Sequence, residues 1–232
     1  MKSVPARLLL AVVLPLAACQ PARAETATRP VIRVALAPVI VDTMSGMAWW
    51  AMTNECNKIW AREGIAIMWS GSNSNADADV VLPLVFDHRE LKKHDPKAGD
   101  AFGVTIFAGR SQRILISAAR ARDVVGQRRG MADSGDSTTL DLAMGTLLGR
   151  VVAHEIGHAL LLTTTHTAGG LMNASLETAD VRPLLDDRFA LSAPDRTRLA
   201  VRFSNAARGE ATLASVTWTD VPPAPSPRRG PR

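Results

Sequence analysis

The sequence has no tyrosine, and its 232 residues include only five tryptophans, five phenylalanines and two cysteines. With so few aromatics, a core must be built mainly from aliphatic side chains. The 47% hydrophobic content suffices for one such core with extensions. Two cysteines, Cys19 and Cys56, exclude a disulfide framework. Cys56 falls in the apolar pattern of a helix expected over 44–63 and reads as a small buried hydrophobe. After the N-terminus no apolar run is long enough to span a membrane. Acidic residues fall short of basic ones, 22 against 27, for a formal net charge of +5. A nucleic-acid binder would interleave aromatics with those basic residues or carry a helix-turn-helix pattern. Neither is found, so no nucleic-acid partner is expected. The excess charge suits attraction to anionic envelope surfaces instead.

Residues 1–24 have the layout of a targeting segment. Lys2 and Arg7 supply the charge, and Leu8 to Ala18 form an apolar stretch too short for a transmembrane helix. Two processing sites compete. Leu16-Ala17-Ala18-Cys19 resembles a bacterial lipobox, which would leave a lipid anchor on Cys19. Ala22-Arg23-Ala24 suits an ordinary signal peptidase cutting before Glu25. Both predict an exported protein: periplasmic, anchored at the outer membrane, or secreted. At the other end, residues 219–232 are rich in proline and arginine and are expected to be disordered.

Residues 28–205 read as a single domain. Strands are expected over 31–41, 65–69, 80–86, 102–107 and 113–117. Pro38 is expected near one end of its strand or at a bulge, and Pro83 argues for an edge strand or a bulge. A helix over 44–63 carries Trp49, Met52, Cys56, Ile59 and Trp60 as a core stripe, and a second starts after Ser192. His88 and His94, near Asp87 and Asp95, raise the idea of a second metal site. Lys92 and Lys93 would repel a cation there, so a solvated loop is expected. Residues 120–137, with Arg120, Arg122, Arg128 and Arg129, are expected to form a mobile basic loop. Asp180, Asp186 and Asp187 read as an exposed acidic loop.

The stretch from 154 to 172, HEIGHALLLTTTHTAGGLM, carries the chemistry. His154 and His158 are i and i+4, so on a helix they project from one face, one turn apart. Two neutral imidazoles at that spacing can grip one Zn²⁺, and Glu155 between them is placed to take a proton from a water on the ion. The preceding run, LDLAMGTLLGRVVA, is apolar and helical in pattern, which provides a buried, rigid support. A catalytic zinc takes three protein ligands and keeps one position open. His166, eight residues past His158, is the leading third ligand. The helix is expected to end at Thr163–Thr165, because β-branched residues are weak helix formers. Glu177 is the alternative third ligand, at the spacing seen in gluzincin aminopeptidases.

His154, Glu155, His158, His166 and Met172 together resemble the metzincin clan of zinc metallopeptidases. The third histidine comes twelve residues after the first, followed by Gly170-Leu171-Met172. That spacing is similar to small secreted bacterial proteins of this type. The resemblance implies an α+β fold, with a mixed sheet on two long helices and a small C-terminal helical subdomain. It also implies that Met172 lines the floor beneath the ion and that a strand along the cleft, at 103–108 or 114–117, receives peptide by main-chain pairing. The substrate would be a peptide or protein. The rival expectation is a non-catalytic, zinc-binding envelope lipoprotein with the same fold.

Overall fold

The computed structural model of the chain describes residues 32–69, 77–94, 101–109, 111–129, 137–174 and 187–207. The segment 1–24 with Cys19, the alternative ligand Glu177, Asp180, Asp186 and the tail 219–232 lie outside the described residues, as do the side chains of Arg128, Arg129 and Asp187. Five strands are described: β1 (Ile32–Ile40), β2 (Ile65–Trp69), β3 (Val80–Phe86), β4 (Gly103–Ala108) and β5 (Ser111–Ile116). They form one sheet in the order β2–β1–β3–β5–β4. The β2–β1, β1–β3 and β3–β5 pairs are parallel. β4 is the exception, an antiparallel strand at one edge that turns back into β5, with Gly103 opposite Ile116 and Ala108 opposite Ser111. Five α-helices accompany the sheet among the described residues: α1 (Gly46–Ala61), α2 (His88–His94), α3 (Ala118–Arg129), α4 (Ser137–Leu161) and α5 (Ala193–Ala207). The protein is therefore a mixed α/β fold on a mostly parallel sheet.

Strand periodicity decides which face carries the core. Val34 and Leu36 of β1, Val80, Leu82, Leu84 and Phe86 of β3, and Ile114 and Ile116 of β5 all join one buried apolar cluster. These are alternate residues, so they share one face of the sheet. The same cluster takes in Met52, Cys56 and Trp60 of α1 and Met144, Leu148 and Val152 of α4. The expected core stripe of α1 is thus found as core.

Pro38 stands near the end of β1, as expected, whereas Pro83 does not lie on an edge strand. Both sit in interior strands at adjacent registers, with Pro83 opposite Ala37 and Pro38 opposite Leu84. The sheet tolerates them because each has an unpaired flank. The β1–β2 pairing ends at Leu36, and the β3–β5 pairing begins at Leu84. At those points a missing N–H removes no ladder bond to the second neighbour.

Two expected loops are helices. Residues 88–94 form α2, whose first turn is capped by Asp87, its Oδ1 accepting from the backbone N–H groups of Arg89 and Glu90 at 2.9 and 3.1 Å. Residues 118–129 form α3, where the Ser117 hydroxyl accepts from Arg120 N at 3.0 Å and Asp42 Oδ2 from Ala118 N at 2.9 Å. Among the described side chains of α3, only Ala118, Ala121 and Val125 are fully buried. That stripe is too thin to stand out among the arginines.

The helix that bears the motif is positioned by two glycines. A Cβ on Gly145 would lie 2.3 Å from the Ala48 carbonyl oxygen, and one on Gly149 would lie 2.7 Å from that of Met52. Only glycine allows α4 to cross α1 this closely. Further along, a Cβ on Gly103 of β4 would lie 3.1 Å from Glu155 Cγ, so Gly103 makes room for Glu155.

The C-terminal elements clamp the same helix. The fully buried Arg150 pairs with Glu55 at 2.9 Å, and its guanidinium carbon lies 4.5 Å from the ring centroid of Phe189. Ser192 caps α5, its hydroxyl donating to Asp195 Oδ2 at 2.6 Å. From α5, Arg202 Nη1 donates to the carbonyls of Ala159, at 3.0 Å, and Leu160, covering the C-terminal end of α4.

Candidate metal centre

His154, Glu155 and His158 occupy the last two turns of α4 and are almost fully buried, at 5%, 5% and 6% exposure. α4 ends at Leu161, earlier than the threonine run. Leu162 takes the left-handed conformation, φ +51°, and Thr163 N donates back to the His158 carbonyl at 3.2 Å. This is the helix-ending bond that normally calls for glycine at the left-handed position. Leucine there costs roughly 1–2 kcal/mol. After this turn the chain doubles back and brings His166 to the other two histidines.

Among the described residues, these three form the one group of three or more histidine, cysteine, aspartate or glutamate side chains with ligand atoms converging on a point, all within 4.8 Å of one another. The His158 Nε2 atom lies 3.0 Å from that of His154 and 3.2 Å from that of His166. On the far side of the rings, His154 Nδ1 is 2.7 Å from the Leu171 carbonyl and His158 Nδ1 is 2.7 Å from the Thr163 carbonyl. A carbonyl only accepts, so both Nδ1 atoms carry the proton. In the neutral rings both Nε2 atoms then present lone pairs. Two lone pairs at 3.0 Å repel unless a cation lies between them. Ligands about 2.0–2.1 Å from a tetrahedral zinc stand roughly 3.3 Å apart, close to the spacings here. The donor set therefore fits a metal ion, and the backbone carbonyls of Leu171 and Thr163 orient two of its ligands.

Electrostatics keep the rings in the ligating form. Burial lowers His154 to about 4, against the opposing pull of its bond to Leu171, and the neighbouring histidines lower it further. Burial lowers His158 in the same way. Glu155 moves the other way. Burial raises it to about 7, while the Thr105 hydroxyl holds it down. That hydroxyl lies 2.8 Å from Glu155 Oε2 and 2.9 Å from the Glu155 backbone oxygen. The one hydroxyl proton is shared between these two acceptors, so Thr105 ties Oε2 to the helix backbone and makes no bond to Oε1.

Met172 is buried beside the motif. A Cβ on Gly157 would lie 2.3 Å from Met172 Sδ, so the sulfur packs directly on the backbone of α4. The turn is held by Thr167 N to the Met172 carbonyl at 2.9 Å and by Asn173 N to the Gly170 carbonyl at 3.2 Å. Sequence reasoning missed Thr105, Leu162 and the two carbonyls. The carbonyls leave no signal in residue identity. For Leu162 the signal is the absence of a glycine where the helix must end.

The remaining candidates lie elsewhere. His88 Nδ1 contacts the Ser117 hydroxyl at 2.8 Å, while His94 Nε2 faces Glu90 at 3.5 Å and Arg113. The two histidines turn to different partners and do not converge. Cys56 is wholly buried and its thiol pKa is driven far up by that burial, so it is held as an unreactive thiol. Comparison with protein-family models, with curated proteins and with solved structures finds no match to this chain.

Proposed function

We propose that this chain is an exported, zinc-dependent metallopeptidase of metzincin-like design. The observation that carries the reading is the convergence of three imidazole nitrogens next to a buried glutamate. Two of those nitrogens have their tautomers set by backbone carbonyls. His154, His158 and His166 would hold the ion, leaving a fourth position for water or substrate. A bound ion would supply Lewis-acid polarisation of a carbonyl and would acidify water towards neutrality.

The chain's own residues supply the rest. Glu155 accepts a proton from the attacking water and passes it to the leaving amine, a role suited to a carboxylate poised near 7. Thr105 keeps one carboxylate oxygen fixed while this happens. Among the described residues β4 presents an unpaired edge beside the same glutamate, and an extended peptide can add to that edge by main-chain hydrogen bonds. Met172 packs beneath the site and ligates nothing. No tyrosine is available to assist, because the chain contains none.

The test is zinc content and peptide hydrolysis together. The wild type is expected to hold one equivalent of zinc and His166→Ala to lose it. Glu155→Gln is expected to keep zinc and lose hydrolysis by about 10²–10⁴-fold. Zinc without turnover in the wild type would favour the non-catalytic lipoprotein. Zinc retained by His166→Ala would move the third ligand, with Glu177 next in line. Export is read from residues 1–24, and mass spectrometry of the mature N-terminus decides between a lipidated Cys19 and a chain starting at Glu25.

A further inference from the structure

Strand order opens a crevice that none of the three histidines lines. β1 leads through α1 to β2 on one side, whereas β3 leads through α2 and β4 to β5 on the other. The chain therefore leaves β1 and β3, which are parallel neighbours, in opposite directions. In open sheets of parallel strands, ligand crevices form outside the carboxyl ends at such a point. A cavity of about 410 Å³ lies here, lined by Val41, Asp42 and Thr43 after β1, Asp87 and Arg89 after β3, and Arg122 of α3. Backbone bonds fix the strand ends around it. Val41 N and Asp42 N both donate to the Phe86 carbonyl, at 3.0 and 2.9 Å, and Asp87 N donates to the Ile116 carbonyl at 3.0 Å.

The charges in this crevice are unequally committed. Asp42 Oδ1 accepts from His88 N at 3.2 Å, and its Oδ2 accepts from Ala118 N at 2.9 Å and Ala119 N at 3.4 Å. Asp87 Oδ1 accepts from Arg89 N and Glu90 N. Both carboxylates are thus taken up by backbone N–H groups, whose dipoles offset their charge. The arginines have no such partners. Arg122 Nη2 donates to the Thr43 carbonyl at 3.0 Å. Among the described residues neither Arg122 nor Arg89 forms an ion pair, and the Arg89 side chain makes no hydrogen bond. A guanidinium in that condition keeps its planar fork of donors for a carboxylate or a phosphate. Two of them line one cavity, and its volume suits a small molecule.

We infer that this crevice is a second ligand site, for a small organic anion whose carboxylate or phosphate group is gripped by Arg89 and Arg122. Val41, exposed at the rim of β1, offers an apolar contact to the rest of the molecule. The inference is independent of the peptidase reading, because it draws on no residue of the metal centre.

The experiment titrates the nitrogen-labelled full chain with sodium phosphate and with sodium succinate at constant ionic strength, and follows the arginine Nε–H resonances. It compares wild type with Arg89→Gln, Arg122→Gln, His166→Ala and Arg33→Gln. Arg33 is exposed at the opposite end of β1 and serves as the control. Arg89→Gln removes a side chain that holds nothing in the fold, so it is expected to fold as wild type does. At least one probe should bind saturably to wild type and be weakened about tenfold or more in Arg89→Gln and in Arg122→Gln, the loss expected of a charge-assisted bond. Arg33→Gln and His166→Ala should bind as wild type does. A preference for either probe supports the inference and names the group that is gripped. Absence of saturable binding by both probes overturns it, as does unchanged affinity in Arg89→Gln. An equal loss in Arg33→Gln would reduce the effect to net charge, and loss in His166→Ala would move the anion to the metal centre; either result overturns the second site.

Discussion

His158 and Thr163 are bonded to each other twice. Thr163 N donates to the His158 carbonyl at 3.2 Å, and His158 Nδ1 donates to the Thr163 carbonyl at 2.7 Å. The first bond ends α4 and the second orients a candidate ligand. Helix termination and ligand geometry are therefore one structure, built from backbone atoms of residue 163 and the ring of residue 158. The threonine side chain takes no part in either bond.

Thr163→Pro deletes the donor of the first bond and restricts the conformation of Leu162. It is expected to weaken zinc binding about 10–100-fold, the usual effect of removing a ligand's supporting partner. Thr163→Ala keeps both backbone groups and should bind zinc within about twofold of wild type. Competition with a chromophoric chelator measures both. Wild-type affinity in the proline variant would show that the reciprocal bonds do not position His158.

Gly157 is the x of the motif that admits no side chain. A methyl group there meets Met172 Sδ, and the turn that must move carries the Leu171 carbonyl bonded to His154. Gly157→Ala should destabilise the metal-free protein by about 1–3 kcal/mol through overpacking. Met172→Ala opens space at the same contact, so the double variant should be less destabilised than the sum, with coupling on the order of 1 kcal/mol. Urea unfolding of the four proteins gives the cycle, and strictly additive effects would contradict this contact.

Much of this arrangement was readable from residue patterns because it depends on periodicity. The strands β2 and β3 lie where short continuous apolar runs predict them, and His154 and His158 share a face because helix spacing requires it. What escaped depends on tertiary placement. Thr105 meets Glu155 across fifty residues of chain, through β4 crossing α4, and a lone threonine in a strand carries no mark of that. α3 reads as loop because arginines outnumber its few buried residues. Pro83 misleads because strand order, which leaves it a free flank, is not local information.

Arg202 covers the end of α4 from a separate element, donating to the carbonyls of Ala159 and Leu160. Charge-assisted bonds to otherwise unpaired helix carbonyls are worth about 1.5–3 kcal/mol. Arg202→Met keeps much of the apolar stem and should cost stability in that range. It should also speed amide exchange at Thr163, whose N–H closes the same turn. Unchanged exchange at Thr163 with lowered global stability would confine Arg202 to docking α5.

Glu155 and His154 give the metal-free protein opposing pH dependences. Glu155 has its folded value raised from 4.5 to about 7, so its contribution to stability is full below 4.5 and is lost as pH rises through 7. His154 has its folded value lowered from 6.5 to about 4, so its contribution is present above 6.5 and is lost as pH falls through 4. Glu155→Gln deletes the first effect and leaves the second. Relative to wild type, the variant should therefore gain stability steadily between pH 4.5 and 7 and then plateau, by on the order of 3 kcal/mol above pH 7. Urea unfolding of the two metal-free proteins from about pH 4.5 to 8 measures the difference. Parallel curves across that range would mean that ionising Glu155 costs the fold nothing. Its burial against Thr105 could then no longer be the reason the carboxyl holds its proton near neutrality.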